Sequence, residues 1–301
     1  MAKFSQVSSV LSPSSSSRPA GVLYVVATPI GHLGELSPRV REVLERAALV
    51  LAEDTRRTRA LLRHLGMNRP LLSLHAHNEA GRLPGVLERL RDGDDLALVS
   101  DAGTPLVSDP GASLVAAAHE AGVRVSPVAG PSAVTAALSV AGFPSERFRF
   151  EGFLPTASAA RRRRLEALRV EGTPATVLYE APHRLLDALE DARRVLGDGR
   201  EAVLAHELTK IHETVVRAPL AEHLRRLRAA GEPPRGEYVL VIGPAPARDA
   251  GPEVTAEIER ALRLLAEELP PARAAALAVR LWGVDRRRAY ALLTGKDGDG
   301  G

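Results

Sequence analysis

Short apolar runs that stop abruptly in turn residues restrict the fold of this chain more than any other feature. VLYVVAT (22–28), ALVLAEDT (48–55) and DLALVS (95–100) are apolar at successive positions, not at alternate ones. A strand apolar on both sides is a strand covered on both sides, the condition of a parallel sheet between helical layers. Between the runs lie helical periods. Ser37-Pro38 opens one, with Ser as cap and Pro in the first turn, followed by Val40, Val43, Leu44 and Ala47. RRTRALLRHLG (56–66) forms a helix closed by Gly66, PLLSLHAHNE (70–79) a third strand or extended piece, and LPGVLERLRDG (83–93) a further helix. A helix over 112–121, the strand VRVSPVAG (123–130) and a helix opening at Gly130-Pro131-Ser132 complete the first unit. This strand–helix rhythm predicts a mostly parallel sheet.

Near Phe143 the texture changes. FPSERFRFEGFLPTASAARRRR is loop-rich and basic. A shorter, mixed unit follows, with strands ATVLYE (175–180), EAVLAHEL (201–208) and EYVLVIG (237–243) and helices near 183–196 and 219–229. Glycines and prolines over 243–252 read as a linker, and the remainder as two or three helices. The predicted organisation is a disordered Ser-rich tail (1–20), an N-terminal α/β domain (21–145), a second α/β domain (146–243) and a helical C-terminal extension (253–294).

The dodecapeptide SDAGTPLVSDPG (100–111) closes the strand LALVS with concentrated turn chemistry. Open parallel sheets bind ligands beyond the carboxyl ends of their strands. Gly103 and Gly111 permit tight backbone shapes, Pro105 and Pro110 fix angles, and Ser100 and Thr104 offer hydroxyls. Asp101 and Asp109 suit a ribose or an amino group, or else their own turns. AGPSA (129–133) repeats the pattern at the next strand end. LAEDTRRTR sets Glu53, Asp54, Arg56, Arg57 and Arg59 just after a strand, suited to phosphate and ribose or to a surface ion network. The four arginines 161–164 form either a phosphate clamp or a solvated helix face. Phe148, Phe150 and Phe153 serve base stacking or domain packing. YEAPHR (179–184) and HELTK (206–210) end strands of the second unit, where they can face the same cleft.

Several classes are disfavoured. The absence of cysteine removes thiol chemistry and disulfides. A zinc site at His75 and His77 needs a third ligand, such as His119 or Glu79, at a distance the sequence leaves open, and no metal is expected. No run of 18 apolar residues suggests a membrane span. No G-x-G-x-x-G or Walker A stretch follows the first strand, against a dehydrogenase, a P-loop enzyme or the ordinary methyltransferase loop. A net charge of +3 suits a polyanionic partner without requiring one.

YVVATPIGHLGEL, LAEDTRRTRALL, SLHAHNE, LVSDAGTPLVSDPG, VSPVAGPSAVTAALSVAGFP, FEGFLP, LYEAPHRL, HELTKIHE and GEYVLVIG occur in that order over roughly 22–243. In this order they closely resemble the tetrapyrrole methylase-like family, and within it the branch acting on small-subunit ribosomal RNA. The resemblance implies a two-domain α/β tetrapyrrole methylase-like fold, with a mostly parallel N-terminal sheet, a mixed C-terminal sheet and a helical extension. It implies S-adenosylmethionine (S-adenosyl-L-methionine) as cofactor, folded between the domains, and 2′-O-methylation of a cytidine ribose in the decoding region of 16S rRNA. A homodimer, an assembled small subunit as substrate, no membrane association and a cytoplasmic location go with it.

Carried over motif by motif, Pro29, Asp101, Gly103, Thr104, Pro105, Pro131, Ser132, Ala133, Tyr179, Glu180 and Leu208 bind the cofactor. Asp54, Arg56, Asn78, Arg161, Arg162, Arg163, Arg164 and Lys210 bind RNA. Glu53, His77 and Glu79 are the candidate general bases for the ribose hydroxyl. The chain departs from the family at His32, commonly Asn, at Glu35, commonly Asp, and at His206, commonly Arg. The rival readings are a small-molecule methylase of the same fold, which needs a wide apolar trough without a basic rim, and a non-catalytic RNA-binding module.

Overall fold

The computed structural model describes residues 19–170, 172–245 and 254–294. The expected tail up to residue 18, and the expected linker from residue 246 on, lie outside the described residues. The first sheet comprises β1 (Val22–Val26), β2 (Leu49–Ala52), β3 (Leu71–Ser73), β4 (Leu96–Val99) and β5 (Arg124–Val128). Its order is β3-β2-β4-β1-β5, and every neighbouring pair is parallel. All five carboxyl ends therefore share one edge.

Helices α1 (Pro38–Arg46), α2 (Thr55–His64), α3 (Glu79–Arg91) and α4 (Ala112–Glu120) cover the sheet. The unbroken apolar runs resolve into two faces. Val50, Ala52, Ala97 and Val99 pack with Val40, Val43, Leu44 and Leu62. Leu49, Leu51, Leu96 and Leu98 pack on the other side with Val86, Leu90, Leu114 and Ala118. Successive strand residues point to opposite faces, so a strand covered twice needs no polar position. The expected start of α1 is present, with Ser37 Oγ accepting from the Val40 amide at 3.3 Å. Two boundaries differ from expectation. The third strand stops at Ser73, and α3 begins at Glu79, carrying Pro84 inside. The helix expected over 83–93 therefore starts four residues earlier, and Val86 and Leu90 anchor it in the core.

The second sheet comprises β6 (Phe148–Phe153), β7 (Ala175–Glu180), β8 (Glu201–His206), β9 (Thr214–Pro219) and β10 (Tyr238–Ile242). Its order is β6-β7-β10-β8-β9, parallel only between β6 and β7. Helices α6 (Ser158–Glu166), α7 (Leu185–Leu196) and α8 (Leu220–Ala229) cover one face through Leu165, Leu189 and Leu224. The other face is covered by α5 (Ala133–Ala141), the helix that follows β5 in the chain. Its Val134, Ala137, Leu138 and Ala141 pack on Val177, Val203, Val239 and Val241. This helix joins the two sheets across an apolar interface. The extension forms α9 (Ala256–Glu268), α10 (Pro271–Trp282) and α11 (Arg286–Thr294) around Leu262, Ala275, Ala278, Val284 and Ala289.

Candidate active site

The turn chemistry of residues 100–111 ties three strand ends together. The Thr28 amide donates to Gly103 O at 2.8 Å, and the Gly103 amide donates back to Thr28 O at 3.0 Å. This bridge joins the loop after β1 to the loop after β4. Gly103 adopts φ +79°, a left-handed backbone that glycine tolerates. Ser100 Oγ donates to Gly103 O at 2.9 Å, and Thr104 Oγ1 donates to Pro131 O at 3.2 Å, which adds the loop after β5. Leu106 and Ser108 also have positive φ, of 72° and 68°. The other non-glycine residues in that region among those described, Glu207 and Thr209, lie in the loop after β8. Side chains held in such conformations cluster where a structure keeps functional groups in place.

Two adjoining cavities lie beyond the strand ends. The first, about 320 Å³, runs between the two sheets. Asp101, Gly103, Thr104, Asp109, Ser132 and Ala133 form its first-sheet wall. Phe153, Tyr179, Glu180, Glu237 and Tyr238 form the opposite wall. The second cavity, about 380 Å³, is lined by Pro29, Gly31, Leu33, His64 and Lys210, among others. Ile30, Arg57, Asp101, Ala102 and Glu237 border both. Close approach closes the far side. A Cβ on Gly31 would lie 2.5 Å from Lys210 Cγ and 2.9 Å from Leu208 O, and the His32 amide donates to Thr209 Oγ1 at 3.0 Å.

The first wall concentrates negative charge. Asp101 accepts from the Asp54 amide at 3.0 Å and lies 3.6 Å from Arg57. Burial raises the Glu53 carboxyl above its ordinary pKa, and Asp101 raises it further. Burial, then the Glu53 and Asp101 charges, push Asp109 up to about 6. On the opposite wall, burial and then Asp109 push the Tyr179 phenol up to about 12. The Tyr179 ring meets Phe150 and Phe153 edge-on, at centroid distances of 5.1 and 5.7 Å. Burial raises Glu180 as well. One of its oxygens accepts from the Ala181 amide and faces Arg184, while Oε2 is buried without a hydrogen-bond partner.

Of the residues expected at the cofactor, Asp101, Gly103, Thr104, Ser132, Ala133, Tyr179 and Glu180 line the first cavity. Pro29 lines the second, together with Lys210 from the expected RNA set. Pro131 contributes its carbonyl to Thr104, Pro105 is buried in the same loop, and Leu208 packs into the core beneath α5. Among the candidate bases only Glu53 couples to the acids of the cavity, Asp101 and Asp109, and it lines neither cavity itself. His77 is exposed beside the His75 ring. Glu79 is buried and accepts the Gly111 and Leu114 amides at 3.3 and 2.9 Å, so it caps α4.

The basic residues divide unexpectedly. Arg56 is exposed and bound to Asp54, which caps α2 and whose pKa Arg56 lowers to about 2. The next residue, Arg57, borders both cavities. Arg161 is buried, with Nε 2.8 Å from Asp191 Oδ2 and Nη1 donating to Thr156 O. Arg164 pairs with Glu151, and Arg162 and Arg163 are exposed; none of the four borders either cavity. Asn78 satisfies its own turn through the His75 amide and Ser73 O. Two of the three departures have local partners: His32 Nδ1 accepts from the Gly34 amide, and the His206 ring stacks on Tyr238 at 4.4 Å; at the third, Glu35 Oε2 is buried without a hydrogen-bond partner. Sequence reasoning missed Ile30, Glu237 and Tyr238. Antiparallel pairing of β10 with β7 brings the start of one beside the end of the other, and GEYVLVIG carried that signal.

The family model of the tetrapyrrole (corrin/porphyrin) methylases matches residues 22–223, and that of the RsmI C-terminal HTH domain matches 252–296. The chain is 51% identical over 271 residues to the ribosomal RNA small subunit methyltransferase I of Xylella fastidiosa (strain Temecula1), covering 90% of this chain and 98% of that protein. It is 49% identical over 272 residues to the protein of the same name from Pseudomonas aeruginosa, covering 90% and 96%. Among solved structures it is similar to the uroporphyrin-III C-methyl transferase from Thermus thermophilus complexed with S-adenyl homocysteine. That match has a TM-score of 0.52 at 19% identity, over 74% of this chain and 97% of that one.

Proposed function

The chain belongs to the tetrapyrrole methylase family, and on that premise we propose that it methylates small-subunit ribosomal RNA with S-adenosylmethionine as donor. The acceptor is the ribose 2′-hydroxyl of a cytidine in the decoding region of 16S rRNA. One observation carries the reading: an acidic cavity meets a second, more basic cavity across Asp101 and Arg57. The donor fits the first of these. Glu180 Oε2 is a buried acceptor without a partner, and S-adenosylmethionine carries amino and hydroxyl donors. Asp101, Thr104, Ser132, Tyr179 and Glu180 would hold it.

The chemistry supplied by the bound donor is a methyl carbon made electrophilic by a sulfonium. The protein aligns the acceptor for in-line displacement, and holding that alignment supplies much of the rate. Glu53 is the base in this reading: it stands just after β2 in the acidic cluster with Asp101, and burial raises its carboxyl, which makes it a better proton acceptor. Arg57 places positive charge at the junction, where it offsets charge developing on the ribose oxygen. Lys210 stands at the second cavity, suited to a flanking phosphate.

The substrate in this reading is the assembled small subunit in the cytoplasm, and the enzyme works as a homodimer. No described helix is long and apolar enough to cross a membrane. The test is methylation of unmodified small subunits and of their naked RNA, followed by nucleotide-resolution mass spectrometry. The expected product is a cytidine methylated on its sugar, formed on the subunit. A methyl group on a base, or transfer only to a precorrin, would overturn the assignment. Light scattering at working concentration checks the dimer.

A further inference from the structure

Four carboxylates line the first cavity, and three of them face a cation. Asp101 lies 3.6 Å from Arg57, Glu180 3.3 Å from Arg184, and Glu237 3.0 Å from Lys210. Asp109 makes no ion pair among the described residues. The charged and titratable groups that act on it are Glu53, Asp101 and the Tyr179 phenol, none of them cationic. It stands in a loop whose backbone is strained at Leu106 and Ser108. A part-buried carboxylate among like charges is costly in the empty protein, and a cationic ligand offsets that cost. The orphaned Glu180 Oε2 in the same cavity points independently to a bound molecule with donors.

Resting on the reading as a methylase, the geometry points to Asp109 as the counter-charge of the donor's sulfonium, by which the cavity holds the charged donor in preference to the neutral thioether product. The sulfonium, not the donor's distant ammonium, is the pole concerned. Asp109 lines the same cavity as Asp101, and Asp101 also borders the second cavity, which receives the sugar in this reading. The carbon in transit must lie at that junction. In transfer the ribose O–C bond forms and the C–S bond breaks. The bonding electron pair stays on sulfur, and the hydroxyl proton passes to the base. The sulfonium charge disappears, so Asp109 loses its partner and the thioether is released.

The test is titration calorimetry of the intact protein with S-adenosylmethionine, S-adenosylhomocysteine and sinefungin, between about pH 5 and pH 8. Sinefungin carries an amine-bearing carbon in place of the sulfonium. The wild type is expected to bind the two cationic ligands more tightly than the thioether by about tenfold, the equivalent of one pKa unit of charge interaction. That ratio shrinks as pH falls through the Asp109 pKa of about 6, because a protonated carboxyl offers no counter-charge. In Asp109→Asn the ratio collapses at every pH, and Asp109→Glu restores it. Equal weakening of all three ligands in Asp109→Asn, or an unchanged ratio, would overturn the inference. Failure of the wild type to bind any of the three would instead sink the methylase reading, and this inference with it.

Discussion

The two walls of the cleft are built differently. The first-sheet side gathers acids that crowd one another: Asp101 and Asp109 line the cavity, Glu53 next to them acts on both, and burial is the main cause that holds Glu53 and Asp109 above their ordinary pKa. The second-sheet wall is aromatic, with Phe153, Tyr179 and Tyr238 around a single buried carboxylate, Glu180, that faces Arg184. Their arginines differ likewise. Arg57 of the first unit faces the cavities, whereas Arg161 of the second is locked inside against Asp191. The difference assigns charge chemistry to the first half and shape and burial to the second, with donor binding shared between them.

If that division holds, removing a charge on the first side alters turnover or the binding of charged partners, and changes in the second alter stability or donor affinity. Glu53→Gln is expected to lower kcat by about 10²–10⁴-fold, the usual contribution of a positioned base. Its donor affinity, read by calorimetry, should change little. Residual activity should lose the dependence that the wild type shows, falling as pH drops through the raised Glu53 pKa. Full turnover in this variant would remove the first wall from the chemistry.

Arg161→Ala should destabilise the fold by about 3–5 kcal/mol, the range for breaking one partner out of a buried pair. Arg57→Ala, whose side chain is largely exposed, should stay within about 0.5 kcal/mol of wild type in denaturant unfolding while losing RNA affinity. Reversed effects would exchange the roles of the two arginines. On the second wall, Glu180→Gln should weaken the donor's Kd by about tenfold, near the lower end for a hydrogen bond to a charged group, with kcat at saturation little changed.

The smallest expected effect has the opposite sign. The folded-state pKa of Asp109, about 6, lies above that of an unfolded aspartate. Its destabilising contribution is therefore fully present above about pH 6 and is relieved as pH falls from there toward about 4. Asp109→Asn should accordingly raise the stability of the ligand-free protein at neutral pH, by about 1 kcal/mol after allowance for solvent screening. The gain should vanish in acid, as thermal melts across pH would reveal. A binding site that holds a charge ready for its ligand is expected to lower stability in this way.

Much of this was legible in the chain. The turn chemistry of residues 100–111 pointed to the strand ends, and Asp101, Gly103 and Thr104 do line the cavity. Arg56 and Arg57 could not be separated, because neighbours on a helix diverge in direction while looking alike in composition. Glu79 sits one helix start beyond a strand, where a base is plausible. Its neighbours are α4 amides 32 and 35 residues further on. The RRRR run carries the same ambiguity, since Asp191, which takes Arg161 inside, lies 30 residues away.

What the sequence determined by itself was local: which runs become covered strands, where turns must fall, which residues cap helices. Hydrophobic period and turn preference are properties of adjacent residues, so they survive without knowledge of the rest. The tertiary structure alone decided that α5 leaves its own sheet to pack on Val177, Val203, Val239 and Val241, and so where the two walls meet. An apolar helix face fits any complementary apolar surface, and only the close packing of the whole molecule selects one.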